Sequence, residues 1–191
     1  MVNKRSGKPS KISIWSEKDV LQVLSRRHAG KLWYFLINHP EITSIENIPF
    51  EKWSVSVAHM EFLKQNFVLY TTSVVHSAES RKGDTIKLVI ELFDGHRIET
   101  VIMKHHKRTT VCLSSQVGCQ MGCRFCATGT MGIIGDLTSD EIIEQLVRSN
   151  HISKVRNIVF MGMGEPLNNY ENVKSAFDFM IDPERFGLCT C

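Results

Sequence analysis

With 191 residues, 42% of them hydrophobic, the chain can bury a core as one large domain or two small ones. Twenty-three Lys and Arg against 20 Asp and Glu leave a net charge of +3, which permits a nucleic-acid partner without requiring one. No apolar run reaches the roughly 18 residues of a membrane span and the N-terminus has no secretory apolar stretch, so the expectation is a cytoplasmic or organelle-matrix protein whose six cysteines are ligands or redox groups, with no membrane partner.

Residues 1–11 read as a loose, polar and basic tail. From Ile14 to about Leu36 the positions Val20, Leu21, Val23, Leu24, Leu32, Trp33, Phe35 and Leu36 recur at helical spacing, with Ser16 or Asp19 as a cap and Gly30 as a break. A second helical pattern over Trp53 to Phe67 completes a helical domain placed at residues 1–78. The grammar then changes. Thr85 to Phe93 alternates, Asp94-Gly95 is a hairpin turn and Arg97 to Met103 returns, which predicts a β-hairpin within residues 79–106.

After the basic stretch Lys104 to Arg108, Thr110 to Ser114 reads as a strand, followed by a glycine-rich loop over 118–135. Thr138 and Glu141 have capping-box spacing and open a helix through Val147. Arg156 to Met161 is a second buried strand, and a glycine-rich turn leads to a helix from about Glu171 to Met180. Strand, helix, strand, helix predicts a parallel sheet in residues 107–191 and an α/β fold class.

The chemistry concentrates in Cys119-x-x-x-Cys123-x-x-Cys126, directly after a strand and among Gly118, Gly122 and Gly129. An iron–sulfur cluster needs soft thiolates and a tight loop whose N–H groups face the sulfurs, and glycines permit the wrapping. Three ligands leave one iron open for a chelating molecule. A structural zinc site is the alternative, but it needs a fourth ligand from Cys112, His151, Cys189 or Cys191, none of them paired at finger spacing. Other features say less by themselves. Glu99 on a hairpin reads as a solvated residue, Cys112 in an apolar strand as a small buried hydrophobe, and Lys104 to Arg108 as a solvated loop.

With Phe125 before the third cysteine, the triad resembles the radical S-adenosylmethionine superfamily. Thr110 to Cys119, Cys126-Ala-Thr-Gly129 and Met161-Gly-Met-Gly-Glu-Pro-Leu-Asn168 together resemble its dual-specificity rRNA/tRNA adenine-C2 methyltransferases and their relatives that methylate C8. The resemblance runs from about Trp33 to Leu188 and strengthens from Glu99 onward. It implies that Cys119, Cys123 and Cys126 hold a [4Fe–4S] cluster, and that Gly164 and Glu165 contact the methionine part of S-adenosylmethionine. It also implies that Glu99 is the proton acceptor and that Cys112 is the thiol that pairs transiently with a methylated cysteine. The resemblance further implies that two molecules of S-adenosylmethionine are used, one to methylate an enzyme cysteine and one to be cleaved reductively at the cluster. The radical route suits C2 of adenine, which is not nucleophilic, once the base is unpaired or flipped. The implied partners are rRNA, tRNA and a flavodoxin- or ferredoxin-like electron donor, with the helical domain and Lys104 to Arg108 as RNA-backbone contacts.

The family barrel has six βα units, of which two are legible before Cys191. The expected fold is thus a helical domain and β-hairpin followed by the first two units of an incomplete barrel, inactive as a chain alone. The alternative is a non-catalytic RNA-binding or cluster-binding remnant. Cys189 and Cys191 do not match the methylated cysteine's motif.

Overall fold

The computed structural model describes residue 5, residues 7–106 and residues 108–188. Cys189 and Cys191 therefore lie outside the described residues. Its centre is a five-stranded sheet of order β3-β4-β5-β6-β9, formed by β3 (Ser73–Glu79), β4 (Thr85–Glu91), β5 (Arg97–His105), β6 (Arg108–Cys112) and β9 (Val155–Val159). The expected hairpin is present: β4 and β5 pair from Thr85↔Met103 to Glu91↔Arg97 around Asp94-Gly95, where Gly95 takes a φ of 82°. It is part of a larger unit, since β3 adds an antiparallel strand inside the stretch expected to be helical. All seven β3 residues are exposed, so no apolar alternation marked them.

β6 and β9 run parallel, joined through α4 (Ser139–Ile152) and followed by α5 (Tyr170–Ile181). These are the two expected βα units. The sheet is mixed α/β and open, with no closed barrel among the described residues. Between β6 and α4 the chain makes a separate antiparallel hairpin, β7 (Gln116–Cys119) with β8 (Gly132–Asp136), where the sequence reads only a loop. Glycines at 118, 132 and 135 hid its arms, because they carry no side chain to show a period of two.

The N-terminal stretch forms α1 (Glu17–Val23), α2 (Arg26–Asn38) and α3 (Val57–Asn66), with β1 (Ile12–Ser13) and β2 (Phe67–Val68) as a short parallel pair. The first helix breaks at Leu24 and Ser25, not at Gly30, which lies buried inside α2. Ser25 caps α2 by accepting the His28 amide. The helices share one continuous apolar core with the sheet. Phe179 of α5 sits edge-on to Trp33 with ring centroids 5.1 Å apart, and the indole N–H groups of Trp15 and Trp33 donate to the carbonyls of Leu69 and Ile14.

α4 is buried nearly all round because the sheet, α5 and the N-terminal stretch cover different faces. Its polar residues are therefore paired inside the protein. Thr138 and Glu141 form the expected capping box. The Glu144 carboxylate accepts from Ser13, Thr71 and Thr72, while burial pushes its carboxyl up. The expected loose tail is pinned at Arg5, whose guanidinium reaches Asp94, Glu141 and the Asp136 carbonyl. Burial opposes that charge, but Glu141 and then Asp94 hold it more strongly.

Candidate active site at the strand ends

β6 and β9 are parallel, so their carboxyl ends open at the same end of the sheet, the usual place for a ligand in α/β folds. Beyond β6, Leu113 to Gln116 continue in extended form, and the turn after β9 is zipped onto them. The Leu113 amide donates to Val159, the Gly162 amide to Leu113, and the amides of Ser115 and Gln116 both donate to Met163, at 2.8 to 3.2 Å. That closeness explains two glycines. A Cβ on Gly162 would meet the Leu113 carbonyl oxygen at 2.8 Å, and one on Gly164 would meet the Gln116 amide nitrogen at 2.7 Å. Gly164 also takes a φ of 101°.

Glu165 follows at the mouth of this turn, half-buried, and accepts the Leu167 amide at 3.1 Å. One of its carboxylate oxygens thus orders the turn. Cys112 is the last residue of β6, half-buried. Burial pushes its thiol up, partly offset by a hydrogen bond from the Met161 backbone. Glu99 lies diagonally across: Val101 pairs with Cys112, and Glu99 precedes Val101 by two residues on the same face. Glu99 is exposed, and Lys87 on the neighbouring strand holds its carboxylate at 2.9 Å.

The cysteine triad occupies the loop between β7 and β8. Cys119 ends β7 and is buried, Cys126 is half-buried and Cys123 is exposed. The loop folds back on itself, with the Cys126 amide on the Cys123 carbonyl and the Gly129 amide on the Cys126 carbonyl, both 3.1 Å. At its base a Cβ on Gly118 would lie 1.9 Å from the Gly132 carbonyl oxygen. Backbone N–H groups of Gly129 and Thr128 lower the Cys126 thiol below its ordinary range, favouring thiolate.

The structure therefore brings Glu99, Cys112, the cysteine loop and the Gly164–Glu165 turn to one end of the sheet. Lys104 to Arg108 goes elsewhere. Lys104 and His105 end β5 and Arg108 opens β6 at the opposite end, about 13 Å down the strand from Cys112. His105 and Arg108 pair with each other, and residue 107 lies outside the described residues.

Three comparisons bear on this arrangement. Residues 113–191 match the model of the radical SAM superfamily. A crystal structure of a radical SAM methyltransferase from Sphaerobacter thermophilus superposes with a TM-score of 0.77 and 29% identity, over 94% of this chain and 53% of that one. A probable dual-specificity RNA methyltransferase RlmN of Aquifex aeolicus is 41% identical over 143 residues, which are 73% of this chain and 40% of that protein. The chain is thus similar to the radical SAM superfamily over residues 113–191, and to dual-specificity RNA methyltransferases over about three quarters of its length. A dual-specificity RNA methyltransferase RlmN of Myxococcus xanthus is 45% identical over 128 residues, 64% of this chain and 36% of that one. The chain spans about 40% of the length of these curated relatives.

The radical SAM family uses a [4Fe–4S] cluster with S-adenosylmethionine. The donors here suit that cluster: three free thiols in one hairpin loop, one of them with its pKa lowered by backbone N–H groups. The fit is one of donor chemistry and placement. Among the described residues no three His, Cys, Asp or Glu side chains are already gathered around a metal position.

Sequence reasoning missed the polar residues beneath this candidate site. Ser114, Ser115 and Gln116 are all buried. The Ser114 hydroxyl donates to the Glu99 carbonyl at 2.6 Å and accepts the Met163 amide at 2.9 Å, joining the β-hairpin to the turn. Asn169 donates to the carbonyls of Ser115 and Leu137. The available signal was three polar residues in a row immediately before Val117-Gly-Cys119, in a stretch bracketed by strands.

Proposed function

We propose that this chain carries the cluster-bearing part of a radical S-adenosylmethionine enzyme that methylates C2 of adenine in rRNA and tRNA. The convergence of the cysteine loop, Glu165, Cys112 and Glu99 on one end of the sheet carries the reading. Cys119, Cys123 and Cys126 would hold the cluster, and Gly164 with Glu165 the methionine part of the cofactor. When bound, the pair supplies the radical chemistry that a non-nucleophilic carbon such as C2 requires.

The chain's own residues divide the remaining work. The bare backbone at Gly164 admits close approach to the turn, and Glu165 offers its carboxylate to an ammonium group. Cys112 keeps its proton at rest because burial disfavours the thiolate, as suits a thiol held for a later disulfide step. Glu99, on the open face, is positioned to take a proton at its carboxylate once Lys87 yields. Free thiols support a reducing compartment, the cytoplasm or an organelle matrix, and a flavodoxin- or ferredoxin-like protein as electron donor. Among the described residues no helix is long and apolar enough to cross a membrane.

The test is an anaerobic incubation of cluster-reconstituted protein with S-adenosylmethionine, reductant and an rRNA hairpin or tRNA, followed by mass spectrometry of nucleosides. 2-Methyladenosine is the expected product. 8-Methyladenosine would overturn the assignment to C2. A cluster without any methylated nucleoside would mean that the chain binds the cofactors and does not itself methylate.

A further inference from the structure

We propose that Gln116 is the positioning residue that sets the cysteine hairpin against the turn carrying Glu165. Its side chain is fully buried and uses both ends of its amide. The Oε1 atom accepts the Glu165 backbone amide at 2.9 Å, and Nε2 donates to the Asp136 carboxylate at 2.7 Å. The amide orientation follows from the partners, since an N–H needs an acceptor and a carboxylate needs a donor.

These two partners belong to different elements. Asp136 ends β8, the strand returning from the cysteine loop, while Glu165 ends the turn after β9. Gln116 itself opens β7, pairs in register with Asp136 and lies three residues before Cys119. Its own backbone amide donates to Met163, and its Cβ lies against Gly164. One rigid residue thus touches the root of the thiolate loop and the backbone of the carboxylate that faces the cofactor. An amide suits this place because it presents an acceptor to one side and a neutral donor to the other. A methionine of similar length would remove both bonds from two half-buried partners.

The inference rests on the reading that these two elements hold the cluster and S-adenosylmethionine, and its test separates the two. Hydrogen exchange at the Glu165 amide is measured in unloaded protein. The S-adenosylmethionine concentration that half-saturates the change in the reduced cluster's EPR signal is measured after reconstitution. Gln116→Met is expected to speed exchange at Glu165 about tenfold and raise the half-saturating concentration about tenfold, while the cysteines still take up iron. The pair Gln116→Glu with Asp136→Asn reverses donor and acceptor across the same bridge, so it is expected to return both readings to within about threefold of the parent. A Gln116→Met protein indistinguishable from the parent in both readings overturns the inference. Should Gln116→Met fail to fold, the paired variant decides: parent-like readings uphold the inference, and a folded paired variant without the cofactor response overturns it. A parent protein with no cofactor response defeats the functional reading, and the inference with it.

Discussion

Gln145 forms a two-sided amide pair with the backbone of Ser114: the Ser114 amide donates to Oε1 at 2.9 Å, and Nε2 donates to the Ser114 carbonyl at 3.0 Å. A helix side chain thereby supplies the ladder partner that the strand lacks beyond β6. The Thr100 hydroxyl also donates to Oε1 at 2.9 Å, so α4, β5 and the floor of the site meet at one buried amide. Ser114 then passes the constraint to Glu99 and Met163.

Gln145→Leu keeps the volume of that residue and removes every one of these bonds. It is expected to cost about 3 kcal/mol, because a buried N–H, a carbonyl and a hydroxyl lose their partner together. Ser114→Ala is expected to cost about 1–2 kcal/mol, through the Met163 amide and the Glu99 carbonyl. Urea unfolding of both variants checks the order.

Glycine at 118 is a steric requirement of the cysteine hairpin, whereas glycine at 95 answers only a turn. Gly118→Ala would drive a methyl to 1.9 Å from the Gly132 oxygen, but a Cβ on Gly95 meets nothing within 4 Å. Gly95→Ala is expected to lose about 1 kcal/mol, from its left-handed backbone alone. Gly118→Ala is expected to lose several times more and to reduce iron uptake. Thermal unfolding and iron content of the reconstituted variants measure both effects.

His151 donates to the Leu36 carbonyl at 3.0 Å from a half-buried place, where desolvation lowers its pKa below the ordinary 6.5 despite that carbonyl. A lowered folded pKa favours the neutral ring in the folded state. Its contribution is therefore present above pH 6.5 and is lost as pH falls through the folded value. The midpoint of thermal unfolding is expected to fall less steeply between pH 7 and about 5 in His151→Gln than in the parent.

Arg185 stacks over Phe179 and Trp33, with its guanidinium carbon 4.2 and 4.5 Å from the two ring centres, and pairs with Glu17. It ties the residues after α5 to the first helix. Arg185→Ala is expected to cost about 3 kcal/mol, and Glu17→Gln less, because Glu17 keeps some contact with water. Comparing the two single variants with the double variant isolates the ion pair from the stacking.

Much of the architecture was legible because the periodicities were clean: Ile86, Leu88 and Ile90 alternate on β4, and Thr138 with Glu141 announced α4. The hairpin turn was equally plain at Asp94-Gly95. What stayed hidden shares a cause. β3 presents both faces to solvent, β8 carries two glycines, and Ser114 to Gln116 are polar residues buried by tertiary pairing, so none bears the apolar pattern that local reading requires. At the site, the cysteine spacing alone suggested a cluster loop. Glu99 and Cys112 were singled out only through family resemblance, and their common sheet face became visible only in the register of β5 with β6. The basic turn at Lys104 drew notice by charge, which carries no information about which end of a strand it occupies.

The most direct measurement is the EPR spectrum of the anaerobically reconstituted, reduced chain, recorded with and without S-adenosylmethionine. A [4Fe–4S] signal that shifts on adding the cofactor, and that disappears when Cys119, Cys123 and Cys126 are changed together to alanine, is the predicted result. A protein that binds zinc instead, or holds a cluster whose spectrum ignores S-adenosylmethionine, would contradict the account.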